Sequence, residues 1–145
     1  MSTTDVSEKI IHEIAIKAPA KRVFEALTDP DQRLAWWGLK GRFETTHVES
    51  DLRPGGKWLM SGAGMGRPFT VQGEYRAVEP PRLLSFTWLP SWQPNATETL
   101  VSFDLQEKDG VTTVRLTHSG LTPEGAQFHK GWHQILVWLR DYVER

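Results

Sequence analysis

Residues 122–145 carry one apolar stripe that no isolated helix could leave uncovered in water. Trp132, Ile135, Leu136, Leu139, Tyr142 and Val143 recur at the three- and four-residue steps that share a helical face, and Phe128 extends the stripe by a turn. His133, Gln134, Arg140, Asp141 and Glu144 fall on the other side. Thr122 can cap the first free amides, Pro123 fits the first helical position, and Glu124 suits the positive end of the helix dipole. A helix of about six turns is expected. Gly125 and Gly131 each cost roughly 1 kcal/mol relative to alanine in such a helix, so each calls for close backbone approach or open space beside it.

What the helix covers is written in the strands before it. Ile10, His12, Ile14 and Ile16 alternate with Ile11, Glu13, Ala15 and Lys17, the two-residue period of a half-buried strand. Pro19 then opens a helix with Val23, Phe24 and Leu27 on one side. Asp29-Pro30 breaks it, and a second short helix ends near Trp36, Trp37 and Gly38. Six further strands are predicted over residues 47–51, 57–61, 69–78, 83–89, 97–106 and 111–118, with Pro54-Gly55-Gly56, Glu79-Pro80-Pro81 and Asp109-Gly110 among the turns. Short turns between consecutive strands imply an antiparallel meander, which the first strand can close or extend.

Alternation assigns the faces. Phe69, Val71, Gly73, Tyr75 and Ala77 fall on one side, as do Leu84, Phe86 and Trp88, then Val101, Phe103 and Leu105, then Val114, Leu116 and His118. Gln72, Glu74, Arg76, Ser85, Thr87, Asp104, Thr113 and Arg115 take the opposite, wet side. The expected fold is therefore α+β: a curved antiparallel sheet of about seven strands, two short helices after strand one, and a long C-terminal helix packed across the dry face.

Composition excludes several functions. The 145 residues suit one domain over 1–145, with residues 1–8 expected to be disordered. A net charge of -1 without a Lys/Arg run leaves no footprint for nucleic acid. The absence of cysteine removes disulfides, thiolate metal sites and a thiol nucleophile. No apolar run is long enough to span a bilayer, so no membrane insertion and a cytoplasmic location are expected. The glycine-rich run Gly62-Ala63-Gly64-Met65-Gly66 reads as a mobile hairpin loop rather than a phosphate cradle, because no Lys-Ser/Thr and no helix follow it.

The order of elements resembles the helix-grip fold of the START/SRPBCC superfamily. Local text narrows the resemblance: Ile16-Lys17-Ala18-Pro19, Val23-Phe24, Leu27-Thr28-Asp29-Pro30, Trp36-Trp37, Pro54-Gly55-Gly56, Gly73-Glu74-Tyr75, Pro80-Pro81-Arg82-Leu83, Asp109-Gly110-Val111-Thr112 and Gly131-Trp132. These are similar to the branch named for homologues of the activator of the heat-shock-protein-90 ATPase. The eukaryotic activator joins such a domain to a separate chaperone-binding domain, for which this length leaves no room, so the family name is not carried over as an activity. What the resemblance implies is a cavity between sheet and helix, used in the superfamily for lipids, sterols, polyketides and other apolar molecules, some of them catalytically.

The expected ligand is thus a small apolar or amphipathic molecule, with no cofactor. Trp58, Met60, Phe69, Tyr75, Phe86, Trp88, Trp132, Ile135 and Leu136 are the candidate lining, and seven tryptophans exceed what a small core usually needs. Ordinary packing of these rings against one another is the competing reading. Trp36, Trp37 and Trp92 either rim a pocket mouth or cover a core edge. His12 and His118, on the inward phase of the first and last strands, would lie side by side and are the candidate general bases if the protein is an enzyme of cyclase, lyase or hydrolase type. His129 and His133 have a metal-compatible spacing, but no third ligand accompanies them and no metal is expected. Arg53, Arg76 and Glu98 matter to a ligand only if they are buried. A chaperone-like protein partner or a homodimer is the remaining class, and it needs an exposed apolar patch around Trp36, Trp37 and Trp92.

Overall fold

The computed structural model describes residues 8–39, 43–64, 66–91, 98–121 and 129–145. Strand β1 (Glu8–Ile16) leads to helices α1 (Ala20–Thr28) and α2 (Pro30–Trp36). The remaining strands follow as β2 (Gly38–Leu39), β3 (Phe43–Ser50), β4 (Lys57–Gly64), β5 (Arg67–Glu79), β6 (Leu83–Pro90), β7 (Thr99–Lys108) and β8 (Val111–Leu121), before helix α3 (His129–Val143). One antiparallel sheet has the order β1-β8-β7-β6-β5-β4-β3-β2. With β2 only two residues long, seven strands carry the sheet, and β1 extends the meander by pairing with β8.

Helix α1 starts after Pro19, and its first amide, on Ala20, donates to Glu107 Oε1 on β7 at 2.8 Å. Asp29 both ends α1 and caps α2, its Oδ1 accepting from the Asp31 amide at 3.0 Å. Asp109 and Gly110 both take positive φ, 55° and 79°, as the tight β7–β8 hairpin requires, and that turn sets Lys108 opposite Val111 and Val101 opposite His118.

On α3, Trp132, Leu136, Leu139 and Val143 are buried, Ile135 and Tyr142 half-buried, and His133 and Gln134 exposed. The stripe is therefore the packed face. The helix lies against β1, α1 and α2, and it reaches β6 through the ring of Trp132, whose centroid is 4.6 Å from that of Trp88. The expected start of this helix at residues 122–128 lies outside the described residues, as do residues 1–7; Glu8, expected to be disordered, belongs to β1.

Three local expectations are corrected. A register shift between Tyr75 and Ala77 adds a residue to β5, so Ala77 pairs with Ser85 and Val78, opposite Leu84, packs against the core in its place. Ser85 and Thr87, assigned to the wet face, are buried: both are small side chains on a central strand, and Thr87 Oγ1 accepts from the Glu74 amide at 2.8 Å. The glycine-rich run is mostly strand. Gly62, Ala63 and Gly64 belong to β4, and a Cβ on Gly62 would collide with the Glu44 backbone, so glycine serves close strand approach there.

Candidate functional site

Four indoles meet where α2, the sheet and α3 converge. Trp37 lies 6.1 Å from Trp88 in a stacked arrangement and 6.4 Å edge-on from Trp132; Trp58 lies 5.9 Å from Trp88. All four are buried. Trp58 also meets Phe86 edge-on at 5.1 Å, and Phe86 meets Tyr75 at 6.3 Å. Such edge-to-face and offset contacts suit the quadrupoles of the rings. Met60, Phe69 and Leu136 are likewise buried and Ile135 half-buried, so every expected lining residue is inside or partly inside.

The rim residues are placed differently from each other. Trp36 and Trp37 are buried, and the Trp36 indole N–H donates to Ala26 O at 2.8 Å, fastening α2 to α1. They cover a core edge. Trp92 lies outside the described residues. Gly73 is explained by the sheet rather than by an opening, because a Cβ there would run into the Thr87 carbonyl oxygen and come within 2.8 Å of Trp58 Nε1. Gly131 has nothing within 4 Å of the Cβ position and is exposed, which corresponds to the open-space explanation.

The two histidines of the first and last strands are not opposite each other. His118 pairs with Ile10 and His12 with Leu116, two positions along the ladder. The half-buried His12 ring lies 5.8 Å from that of His133 on α3. His118 instead turns into the tryptophan cluster, 5.1 Å from Trp132 and 6.5 Å from Trp88, both edge-on, with only 3% of its surface exposed. Its Nε2 is 2.6 Å from Thr99 Oγ1, and its buried Nδ1 has no hydrogen-bond partner among the described residues. Burial away from water pushes the imidazole pKa down to about 4, so the ring is neutral at pH 7.

A second polar group in this interior was not a candidate from sequence. Arg33 on α2 is 2% exposed; its Nε donates to Leu27 O at 2.7 Å, its Nη2 to the Tyr75 hydroxyl at 3.1 Å, and its guanidinium carbon lies 5.6 Å from the Trp58 ring centre. Among the described residues no carboxylate lies within ion-pair range of it. Since arginine only donates, Tyr75 accepts from it, and the Tyr75 hydroxyl shares a second hydrogen bond with Ser50 Oγ, 2.6 Å away. The missed signal was helical spacing: Arg33 is three residues before the buried Trp36 and shares its face, while the apolar Leu34 points outward. The charged groups considered for a ligand are all exposed: Arg53 pairs with Asp51, and Arg76 with Glu74 and Glu98.

Among the described residues no cluster of three or more histidine, aspartate or glutamate side chains could hold a metal ion, and no helix is long and apolar enough to cross a membrane. The His129 side chain lies outside the described residues.

A sheet gripping one C-terminal helix after two short helices defines the helix-grip class. The chain belongs to the family described as Activator of Hsp90 ATPase homolog 1-like protein, whose sequence profile matches residues 17–144. Among solved structures it is similar to CalU16 from Micromonospora echinospora, with 25% identity and a TM-score of 0.71 over 94% of this chain and 76% of that one. An uncharacterised protein from Rhizobium leguminosarum is similar at 22% identity and a TM-score of 0.81, covering 96% and 95%. DynU16, a protein of the dynemicin biosynthetic locus, is similar at 24% identity and a TM-score of 0.75, over 94% of this chain and 47% of that one. None of the curated proteins matches this chain.

Proposed function

We propose that the protein binds a small apolar or amphipathic molecule between its sheet and α3, in contact with the tryptophan cluster. The observation that carries this reading is Trp88 and Trp132, themselves packed against Trp37, meeting a buried histidine whose Nδ1 lacks a hydrogen-bond partner among the described residues. An interior built only for packing is favoured by filling such a position with an aliphatic side chain, because a desolvated polar atom without a hydrogen bond costs free energy. Apolar ligand surface buried against the indoles would contribute about 25 cal/mol per Å² before ordering costs. The family membership and the likeness to CalU16 are compatible with a small-molecule role.

A catalytic use of the same site, of cyclase, lyase or hydrolase kind, has His118 buried and neutral, but the burial that lowers its pKa to about 4 also makes it a weak general base, so binding is the better-supported reading. The protein-partner reading is weakened, since Trp36 and Trp37 are inside and, among the described residues, which do not include Trp92, the exposed large apolar residues Ile11, Leu34, Leu52, Leu100 and Val111 are spread over different elements and turns.

Native mass spectrometry of gently purified protein, followed by solvent extraction, tests the binding reading. A reproducible extra mass that extracts as an apolar molecule is expected. A clean unliganded mass, together with no heat on titration with naphthalene, would overturn it.

A further inference from the structure

We infer that the ligand bears a neutral hydrogen-bond donor, a hydroxyl on a flat apolar body, and that Nδ1 of His118 accepts its proton. This rests on the binding reading above and adds the chemical class of the ligand's polar end. The argument begins with a single proton. The Thr99 hydroxyl has one to give, and the Trp88 carbonyl oxygen 3.3 Å away can only accept. Both Thr99 contacts are hydrogen bonds only when the Thr99 oxygen receives at the other one, so we assign the hydrogen of the 2.6 Å bond to His118 Nε2. A neutral imidazole protonated at Nε2 has a bare lone pair at Nδ1.

That lone pair is out of water and unpartnered, and the rings beside it, Trp132 at 5.1 Å and Trp88 at 6.5 Å, meet it edge-on as apolar walls. Burial keeps the ring neutral at physiological pH, so it does not become a double donor. Arg33 lies against the face of Trp58 and gives two of its N–H groups to Leu27 O and the Tyr75 hydroxyl. A neutral acceptor in an apolar wall selects by what it leaves unpaired. A phenol or alcohol satisfies it. An ether or ketone of the same shape has no proton to offer, and a carboxylate ionised at pH 7 has none either.

The test uses the full chain and three probes of similar shape: 2-naphthol, 2-methoxynaphthalene and naphthalene, titrated by calorimetry at pH 7. The expected result is that 2-naphthol binds about tenfold more tightly than the other two, and that His118→Phe removes this preference while still binding all three. In parallel, ¹⁵N spectra of the histidine rings of the wild type should report His118 as protonated at Nε2, with the Nδ1 resonance moving on addition of 2-naphthol. This second readout needs no variant and stands if His118→Phe fails to fold. Equal affinity for the naphthol and its methyl ether, or a ring protonated at Nδ1, would overturn the donor assignment while leaving the binding site in place. Failure of all three probes to bind would overturn the binding reading itself.

Discussion

His118 and Thr99 are diagonal neighbours on β8 and β7, joined by a 2.6 Å contact between Nε2 and Oγ1. The hairpin register places His118 opposite Val101, two residues from Thr99 and on the same face. Among the described residues the Thr99 hydroxyl is the hydrogen-bond partner of the imidazole, and Nδ1 is buried without one.

This burial makes stability depend on pH. The folded pKa of His118, about 4, lies below the ordinary 6.5, so between these values the unfolded chain binds the extra proton and stability falls as pH falls. The contribution present above pH 6.5 is on the order of 3 kcal/mol and is lost progressively toward pH 4. Urea unfolding of wild type and His118→Gln at several pH values checks this: the variant should have the flatter profile across that window. Parallel profiles would contradict it.

Arg33 should be among the costly positions outside the aliphatic core. Arg33→Ala removes two hydrogen bonds to a charged group and a ring contact, and a loss of about 3 kcal/mol in denaturant unfolding is expected. Arg33→Lys should recover only part of it, because a single ammonium does not reproduce the planar fork that reaches Leu27 O and the Tyr75 hydroxyl together.

Two glycine-to-alanine substitutions should have opposite signs. At Gly131 the new methyl group meets nothing and the helix gains propensity, so the melting temperature should rise, corresponding to about 1 kcal/mol. At Gly73 the methyl group would strike the Thr87 carbonyl and crowd Trp58, and a loss of at least about 2 kcal/mol is expected.

Ligand affinity should depend on the indoles and not on the exposed histidine of α3. Trp88→Ala and Trp132→Ala are expected to weaken naphthalene binding about tenfold or more, and His133→Ala to leave it essentially unchanged. Both tryptophan variants should also lose about 3–5 kcal/mol of stability, so binding is read by calorimetry at a temperature where circular dichroism verifies the fold. Small and equal effects from all three would count against the site.

Much of the site could be read one strand at a time. Alternation put Phe86 and Trp88 on the inner face, and helical spacing put Trp132 and Leu136 on the packed side of α3; all are buried. The Asp109-Gly110 turn even carried the His118–Thr99 pairing, because counting back from it sets Val101 opposite His118 and Thr99 one diagonal step away. Arg33 was harder to read, since a charged residue is ordinarily assigned to water unless a partner is known. Its partner, Tyr75, is 42 residues away.

By itself the sequence determined the elements and their class, because side-chain period and turn chemistry are local and survive without knowledge of distant contacts. It also determined the meander, since short turns leave consecutive strands few places to go. The tertiary structure decided which polar groups went inside. It shifted the phase of β5 by one residue at Tyr75, buried Ser85 and Thr87, enclosed Trp36 and Trp37, held Arg33 without a carboxylate among the described residues, and left His118 Nδ1 unpaired. Apart from the β5 shift, which is a matter of strand pairing, these outcomes depend on desolvation, and desolvation is set by atoms that only the folded chain brings together.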